Sequence, residues 1–262
     1  MQDLNVTLIQ VDQVWEDKQA NFNKYEAFFS QLNETDLVIL PEMFHTGFSM
    51  SADLLAEEWE NSEGLSFLKK WSARLNSAIY TSLIILENAK CYNRGVFVYP
   101  NGYVKHYDKR KSFCLGGEDK FYTAGNTEAI VEWKGWKINL QICYDLRFPE
   151  LIRNRVENDS AAYDLLVYVA NWPERRIAHW EALLCARAIE NQCYVVGVNR
   201  VGVDGNNLVY NGGSIVVSPM GEQLSNLKNH QEDFKNCIFF IFTISLEYCC
   251  SSAKTVLFSR FN

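Results

Sequence analysis

The chain has 262 residues, 48% hydrophobic and 14% aromatic, which excludes a disordered chain and allows one large core. Acidic residues outnumber Lys and Arg by 32 to 25, for a net charge of −7. That balance argues against nucleic acid as the main partner, although a local basic pocket remains possible. The longest apolar runs, 165–170 and 237–242, are far shorter than the ~20 residues that cross a bilayer. The opening MQDLNVTLIQV lacks the basic region of a signal peptide. No membrane partner and a cytoplasmic location are therefore expected.

The periodicity predicts elements in the following order. Residues 4–11 read as a strand, and 17–32 as a helix with apolar positions at helical spacing. Residues 36–40 form a short buried strand stopped by Pro41. Residues 65–75 read as helix and 79–86 as strand. Runs 96–99 and 103–107 flank Asn101-Gly102, a hairpin signal. Runs 130–133 and 136–142 pair around Gly135. Residues 149–156 read as helix, 165–170 as an apolar strand and 179–190 as helix. Strands at 194–199, 214–218 and 238–243 complete the series, with a turn at Asp204-Gly205. No linker divides the sequence, so one domain over 1–262 is expected. The order fits two mixed sheets packed face to face, with helices on the outer faces.

Eight cysteines, at 91, 114, 143, 185, 193, 237, 249 and 250, form no CxxC pair, and reduced thiols are expected. The four histidines form no HExxH pattern, so no metal is expected. No glycine-rich dinucleotide or P-loop motif is present, and no cofactor is expected.

Three segments place a reactive side chain at the end of a strand. In DLVILPEMF, Glu42 follows a buried strand at the end where open α/β sheets put their ligands; on this segment alone a solvated loop carboxylate is the favoured reading. In QICYDLRFPE, Cys143 follows a core strand, where unpaired backbone N–H groups can stabilise a thiolate or an oxyanion. Most free cysteines, however, are buried packing groups. In YVKHYDKRKSF, Lys109 could supply charge to an oxyanion or simply sit in a basic turn. Asn171 and Trp172 end the strand at 165–170, which puts them on the same rim: Trp172 as a wall, Asn171 as an amide. Arg147 can hold a substrate anion or pair with Asp145 or Glu150; the internal pairing is slightly favoured. Arg110 and Lys111 also flank these segments in an otherwise acidic chain, and an anion held by one of the three would orient a substrate toward Cys143. Phe44, Phe48 and Phe113 can narrow a pocket. A Cys–His pair using His45 or His179 is the rival chemistry.

LPEMFHTGFSM, YDKRKSF followed by GGE and YTAGN, ICYDLRFPE, and YVANWP with HWEALLCARAIEN occur in that order. Together they resemble the nitrilase, or carbon–nitrogen hydrolase, superfamily, and most of all its omega-amidase branch. The similarity spans about residues 4–222. It implies an α/β fold, a four-layer α-β-β-α sandwich, and a homodimer. It also implies Glu42 as general base, Lys109 as catalytic lysine, Cys143 as nucleophile and Glu118 as a supporting glutamate. The activity implied is hydrolysis of the terminal amide of 2-oxoglutaramate or 2-oxosuccinamate to acid and ammonia through a cysteine thioester. Another carbon–nitrogen hydrolase activity (aliphatic amidase, nitrilase or N-carbamoyl hydrolase), or a binding protein on the same fold, is the alternative. In that chemistry the N–H of Tyr144 joins Lys109 at the oxyanion. Tyr144, Arg147, Asn171, Trp172, Phe48 and Phe113 form the substrate-binding set. Two stretches depart from the family pattern: Lys111-Ser112, where relatives usually carry His-Leu, and the segment from about 237 to 262, which lacks a charged helix and acidic end.

Overall fold

The structure, a computed structural model, describes residues 2–157 and 160–239. Two mixed sheets face each other. The first runs Asp233–Phe239, Leu4–Gln10, Leu37–Ile39, Ala78–Glu87, Lys90–Val98, Val104–Asp108, with Glu57–Glu58 also paired to Ala78–Glu87. The second runs Gln223–Asn226, Ile215–Val217, Tyr194–Asn199, Leu165–Ala170, Trp136–Ile142, Ile130–Trp133. Each has three parallel strands at its centre and antiparallel strands outside them.

Alternation sorts the first sheet's side chains between two cores. Leu4, Val6, Leu8, Leu37, Ile39, Ala78, Tyr80 and Phe97 enter the layer between the sheets. Ile9, Val38, Leu40, Ile79, Leu83, Val96 and Val98 point the other way. There they meet the helices Lys18–Phe29 and Glu63–Leu75 through Tyr25, Phe29, Leu68 and Trp71. The helix Ile177–Asn191 covers the second sheet with Trp180, Leu184 and Ala188. Strand Leu165–Ala170 is therefore buried on both faces, which is why it is apolar throughout. The expected four layers are present.

Several elements differ from the sequence reading. Residues 149–156 are not a helix: a single 3₁₀ turn covers Pro149–Leu151. The carbonyls that a helix would need are taken, Leu151 O by Arg110 and Ile152 O by Tyr163. A long hairpin also joins Ala78–Glu87 to Lys90–Val98. Its turn, Asn88-Ala89, has φ of 50° and 59°, a primed turn made without the glycine that usually announces one. The last strand begins at Asp233, earlier than expected. The part of the 237–262 segment from residue 240 onward lies outside the described residues. No helix among the described residues is long and apolar enough to cross a membrane.

Lys109 directly follows Val104–Asp108, and its carbonyl accepts from Gly125 N–H at 2.9 Å. A Cβ at Gly125 would lie 2.3 Å from the Asp108 carbonyl oxygen. Gly125→Ala must therefore displace the backbone that carries Lys109. The expected cost is ~1–3 kcal/mol of stability, together with a fall in kcat. Urea unfolding and steady-state assays on the purified variant test this, and wild-type values in both would mean that the strand end yields freely.

Candidate active site

Four side chains named from the sequence meet where the two sheets' strands end. Glu42 follows Leu37–Ile39, Lys109 follows Val104–Asp108, and Cys143 follows Trp136–Ile142. Glu118 comes from a 3₁₀ turn over Glu118–Lys120. All four are buried.

Lys109 is the centre. Its Nζ donates to Glu42 Oε1 at 3.0 Å and to both oxygens of Glu118 at 2.9 Å. Burial alone would lower the ammonium's pKa, but the carboxylates of Glu118 and Glu42 outweigh it and hold the pKa well above its ordinary value. Asn93 donates to Glu42 Oε1 at 2.7 Å and to Glu118 Oε1 at 3.2 Å, tying the two carboxylates together. Glu42 Oε2 accepts from Asn171 N–H at 2.9 Å. Asn93 was not singled out in the sequence; its one signal is a polar Asn-Arg pair ahead of the apolar run Val96–Val98.

Cys143 has φ of 45°, a left-handed conformation that costs a non-glycine residue roughly 1–3 kcal/mol. The strain places the thiol at the head of a 3₁₀ turn over Cys143–Arg147. The N–H groups of Cys143 and Tyr144 open that turn, so they have no acceptor within it. Burial, then Glu42, push the thiol's pKa well above its ordinary value, and Lys109 only partly opposes them. The shift favours the thiol over the thiolate, the opposite of what a nearby lysine alone would do.

The histidines do not join this group. His45 Nε2 bonds Glu57 at 3.1 Å, and its ring stacks on Phe22 and Phe44 in the outer layer. Phe44 belongs to that layer and not to the pocket. His179 Nδ1 lies 2.9 Å from Arg147 Nη2, and the residue is exposed. Among the described residues no three His, Cys, Asp or Glu side chains are grouped to hold a metal ion. The carboxylate pair already surrounds a fixed cation.

A carbon–nitrogen hydrolase family model matches residues 5–252. The chain belongs to the carbon–nitrogen hydrolase family. This hydrolase is 43% identical to the omega-amidase YafV of Yersinia enterocolitica, over 85% of this chain and 84% of the relative. It is 33% identical to the 2-oxoglutaramate amidase of Bacillus subtilis, over 84% and 85%. XC1258 of Xanthomonas campestris, a CN-hydrolase superfamily protein whose structure has an arsenic adduct in its active site, superposes with a TM-score of 0.88. Its identity is 40%, and the match covers 92% of this chain and 91% of that one.

In this hydrolase a cavity of about 490 Å³ opens onto Cys143. Of the four central side chains Cys143 lines it, while Glu42, Lys109 and Glu118 lie behind its wall. Phe48, Phe113, Tyr144, Arg147, Asn171 and Trp172 all line it. Three details differ from the sequence reading. One N–H of the Asn171 amide is donated to Glu42 O at 2.7 Å, and its Oδ1 is buried and has no hydrogen-bond partner, so the oxygen can receive a donor from a ligand. Arg147 pairs with neither Asp145 nor Glu150; it lies over the Trp172 ring at 4.9 Å. Asp145 instead accepts from Tyr107, Lys111 N–H and Ile142 N–H, and Glu150 pairs with Lys111. Arg110 is bound to Tyr107 and Leu151 O, so neither it nor Lys111 faces the cavity. Arg175 and Arg176, which the sequence reading passed over, do.

Asp145 clamps the cysteine turn to the lysine segment. Burial raises its carboxyl from 3.8 to about 6, against Lys109 and its hydrogen bonds, which favour the carboxylate. Between those values the folded chain holds a proton that the unfolded chain has released, so this contribution to stability falls as pH rises. From about pH 4.5 to about pH 7.5 the wild-type unfolding free energy should fall by roughly 2 kcal/mol relative to Asp145→Asn. Urea titrations at both pH values measure it; a difference that is flat or rises would show that Asp145 stays ionised throughout.

Proposed function

We propose that this hydrolase is an omega-amidase that releases ammonia from the terminal amide of a small 2-oxo acid, 2-oxoglutaramate or 2-oxosuccinamate. The observation that carries this reading is Cys143 lining a cavity, with the buried Glu42 carboxyl and Lys109 ammonium bonded to each other behind it. The omega-amidase and 2-oxoglutaramate amidase relatives support the substrate class.

An amide needs an activated nucleophile and a protonated leaving group. The Cys143 thiol gives its proton to Glu42 as sulfur attacks the carbonyl carbon. The oxyanion forms beside the Tyr144 N–H and the Lys109 charge. All three Lys109 N–H bonds are engaged at rest, so Lys109 acts mainly through its charge. Glu42 returns the proton to the departing amine, and ammonia and a thioester result. Glu42 then takes a proton from water as the hydroxyl attacks the thioester, the C–S bond breaks to release the acid, and Glu42 gives that proton back to sulfur to restore the thiol. Asn171 Oδ1 is free to accept from the substrate's NH₂ group.

No cofactor enters this chemistry. The reading takes the chain as one domain in the cytoplasm, on the strength of its sequence, and as a homodimer, on the strength of the family resemblance. The core shared between both sheets supports the single domain.

Cys143→Ala and Glu42→Gln should each lower ammonia release from 2-oxoglutaramate by at least ~10²–10⁴-fold. Near-wild-type turnover in folded Glu42→Gln would remove Glu42 from the reaction. Wild-type enzyme that releases ammonia faster from an aliphatic nitrile or a carbamoyl compound would replace the omega-amidase reading. Lys109→Ala leaves two carboxylates unpaired and buried, a cost of about 3–5 kcal/mol. The expected result is a marked drop in the urea midpoint as well as lost turnover. An unchanged midpoint would show that one of the carboxylates takes up a proton when the ammonium is gone.

A further inference from the structure

The cavity carries an unbalanced positive charge, and one guanidinium in it has nothing to bind. Arg147, Arg175 and Arg176 line the cavity together with two acids, Glu16 and Asp204. Both acids are engaged elsewhere. Glu16 accepts from Ser49, and Asp204 accepts from Asn206 N–H, Leu208 N–H and Tyr210. Arg147 has His179 beside it, and Arg175 is exposed.

Arg176 is half-buried, and its guanidinium has no hydrogen-bond or ion-pair partner among the described residues. It lies 5.0 Å over the Phe113 ring, and Phe113 packs edge-on against Tyr144, the residue after the nucleophile. Its backbone is fixed by Trp172, whose Nε1 donates to Arg176 O at 2.8 Å. The same indole lies under Arg147. Trp172 thus holds the backbone of Arg176 and underlies the guanidinium of Arg147. Burial, Arg175 and Arg147 all weaken Arg176's hold on its proton, while Cys143 acts the other way. A half-desolvated cation with like charges around it is a ready site for a carboxylate, which a guanidinium binds with two parallel N–H bonds.

We propose that Arg176 is the specificity-determining residue of this site: it binds the carboxylate at the far end of the substrate and so directs the amide to Cys143. This rests on the amidase reading and deepens it. It assigns the selection of anionic over neutral amides to Arg176, with Arg147 as its neighbour on Trp172. Fixing one end of a short substrate lowers the entropy lost in bringing the other to the thiol.

The test compares wild type, Arg176→Gln, Arg176→Lys and Arg147→Gln on 2-oxoglutaramate and its neutral methyl ester. Wild type should favour the acid. Arg176→Gln should lose about 100-fold in kcat/KM on the acid and change the ester rate by less than about threefold. Arg176→Lys should recover part of the loss, and Arg147→Gln should lose less than Arg176→Gln. A second readout does not need turnover: 2-oxoglutarate should slow iodoacetamide labelling of Cys143 in wild type, and should do so poorly in Arg176→Gln. If wild type favours the acid and Arg176→Gln keeps the preference and the protection, the Arg176 assignment is overturned and the amidase reading stands. If wild type handles the neutral ester as well as the acid, the anion subsite and the 2-oxo acid reading both fall.

Discussion

The rest of the site depends on one buried ammonium held between two carboxylates. Lys109 is 3% exposed, Glu42 0% and Glu118 1%. Taking such groups from water costs several kcal/mol per ion unless each is paired and bonded. The cluster meets that condition through a defined set of contacts: three bonds from Lys109, one to each carboxylate from Asn93, and the Asn171 N–H to Glu42. None of these partners can move far without leaving a buried charge unpaired. The rigidity of the site is therefore a consequence of its charge.

That constraint explains why the fold needs two sheets. The nearest parallel strands of either sheet supply only part of the set. Glu42 comes from the first sheet and Cys143 from the second, and Asn171 of the second holds Glu42 twice. Two further contacts cross the interface close by: Tyr80 to Gln141 O at 3.0 Å and Tyr107 to Asp145 at 2.8 Å. Both sheets end their central strands on the same rim, so reactive groups from each can meet without long loops. The strained turn at Cys143 is held by the Asp145 carboxyl, which also holds the segment just after Lys109. Nucleophile and lysine are thus fixed to each other through a third residue.

Much of this was legible in the sequence, for identifiable reasons. Glu42, Cys143 and Asn171 stand immediately after apolar strand runs, and a strand end has a defined place in a parallel sheet. Helices such as Glu63–Leu75 declared themselves by spacing. What stayed hidden depends on contacts that no local pattern encodes. Asn93 sits in mid-strand, and only pairing with two distant loops gives it a role. The 149–156 segment has helical character, but Arg110 and Tyr163 capture its carbonyls from afar. Arg147 stands between Asp145 and Glu150 in the chain, yet both acids find other partners in space. Arg176 reads as an ordinary charged residue at a helix start until the fold puts it in the cavity, where the two lining acids, Glu16 and Asp204, are bound to other groups.

The second glutamate has a reason in the proposed reaction that the resting geometry makes visible. Glu42 must accept a proton twice in each cycle, once from the thiol and once from water. At those moments it is neutral and no longer balances Lys109. If it were the sole counter-ion, the ammonium would then be buried and unpaired, raising the energy of each intermediate that follows proton transfer. Glu118 takes two of the three Lys109 bonds, so the ammonium keeps a full charge partner while Glu42 is neutral. Asn93 serves both states as well, because an amide donor can bond a carboxylate or the carbonyl oxygen of a carboxylic acid. Proton acceptance and charge balance are thereby divided between two carboxylates. One is free to change its protonation state because the other keeps its own.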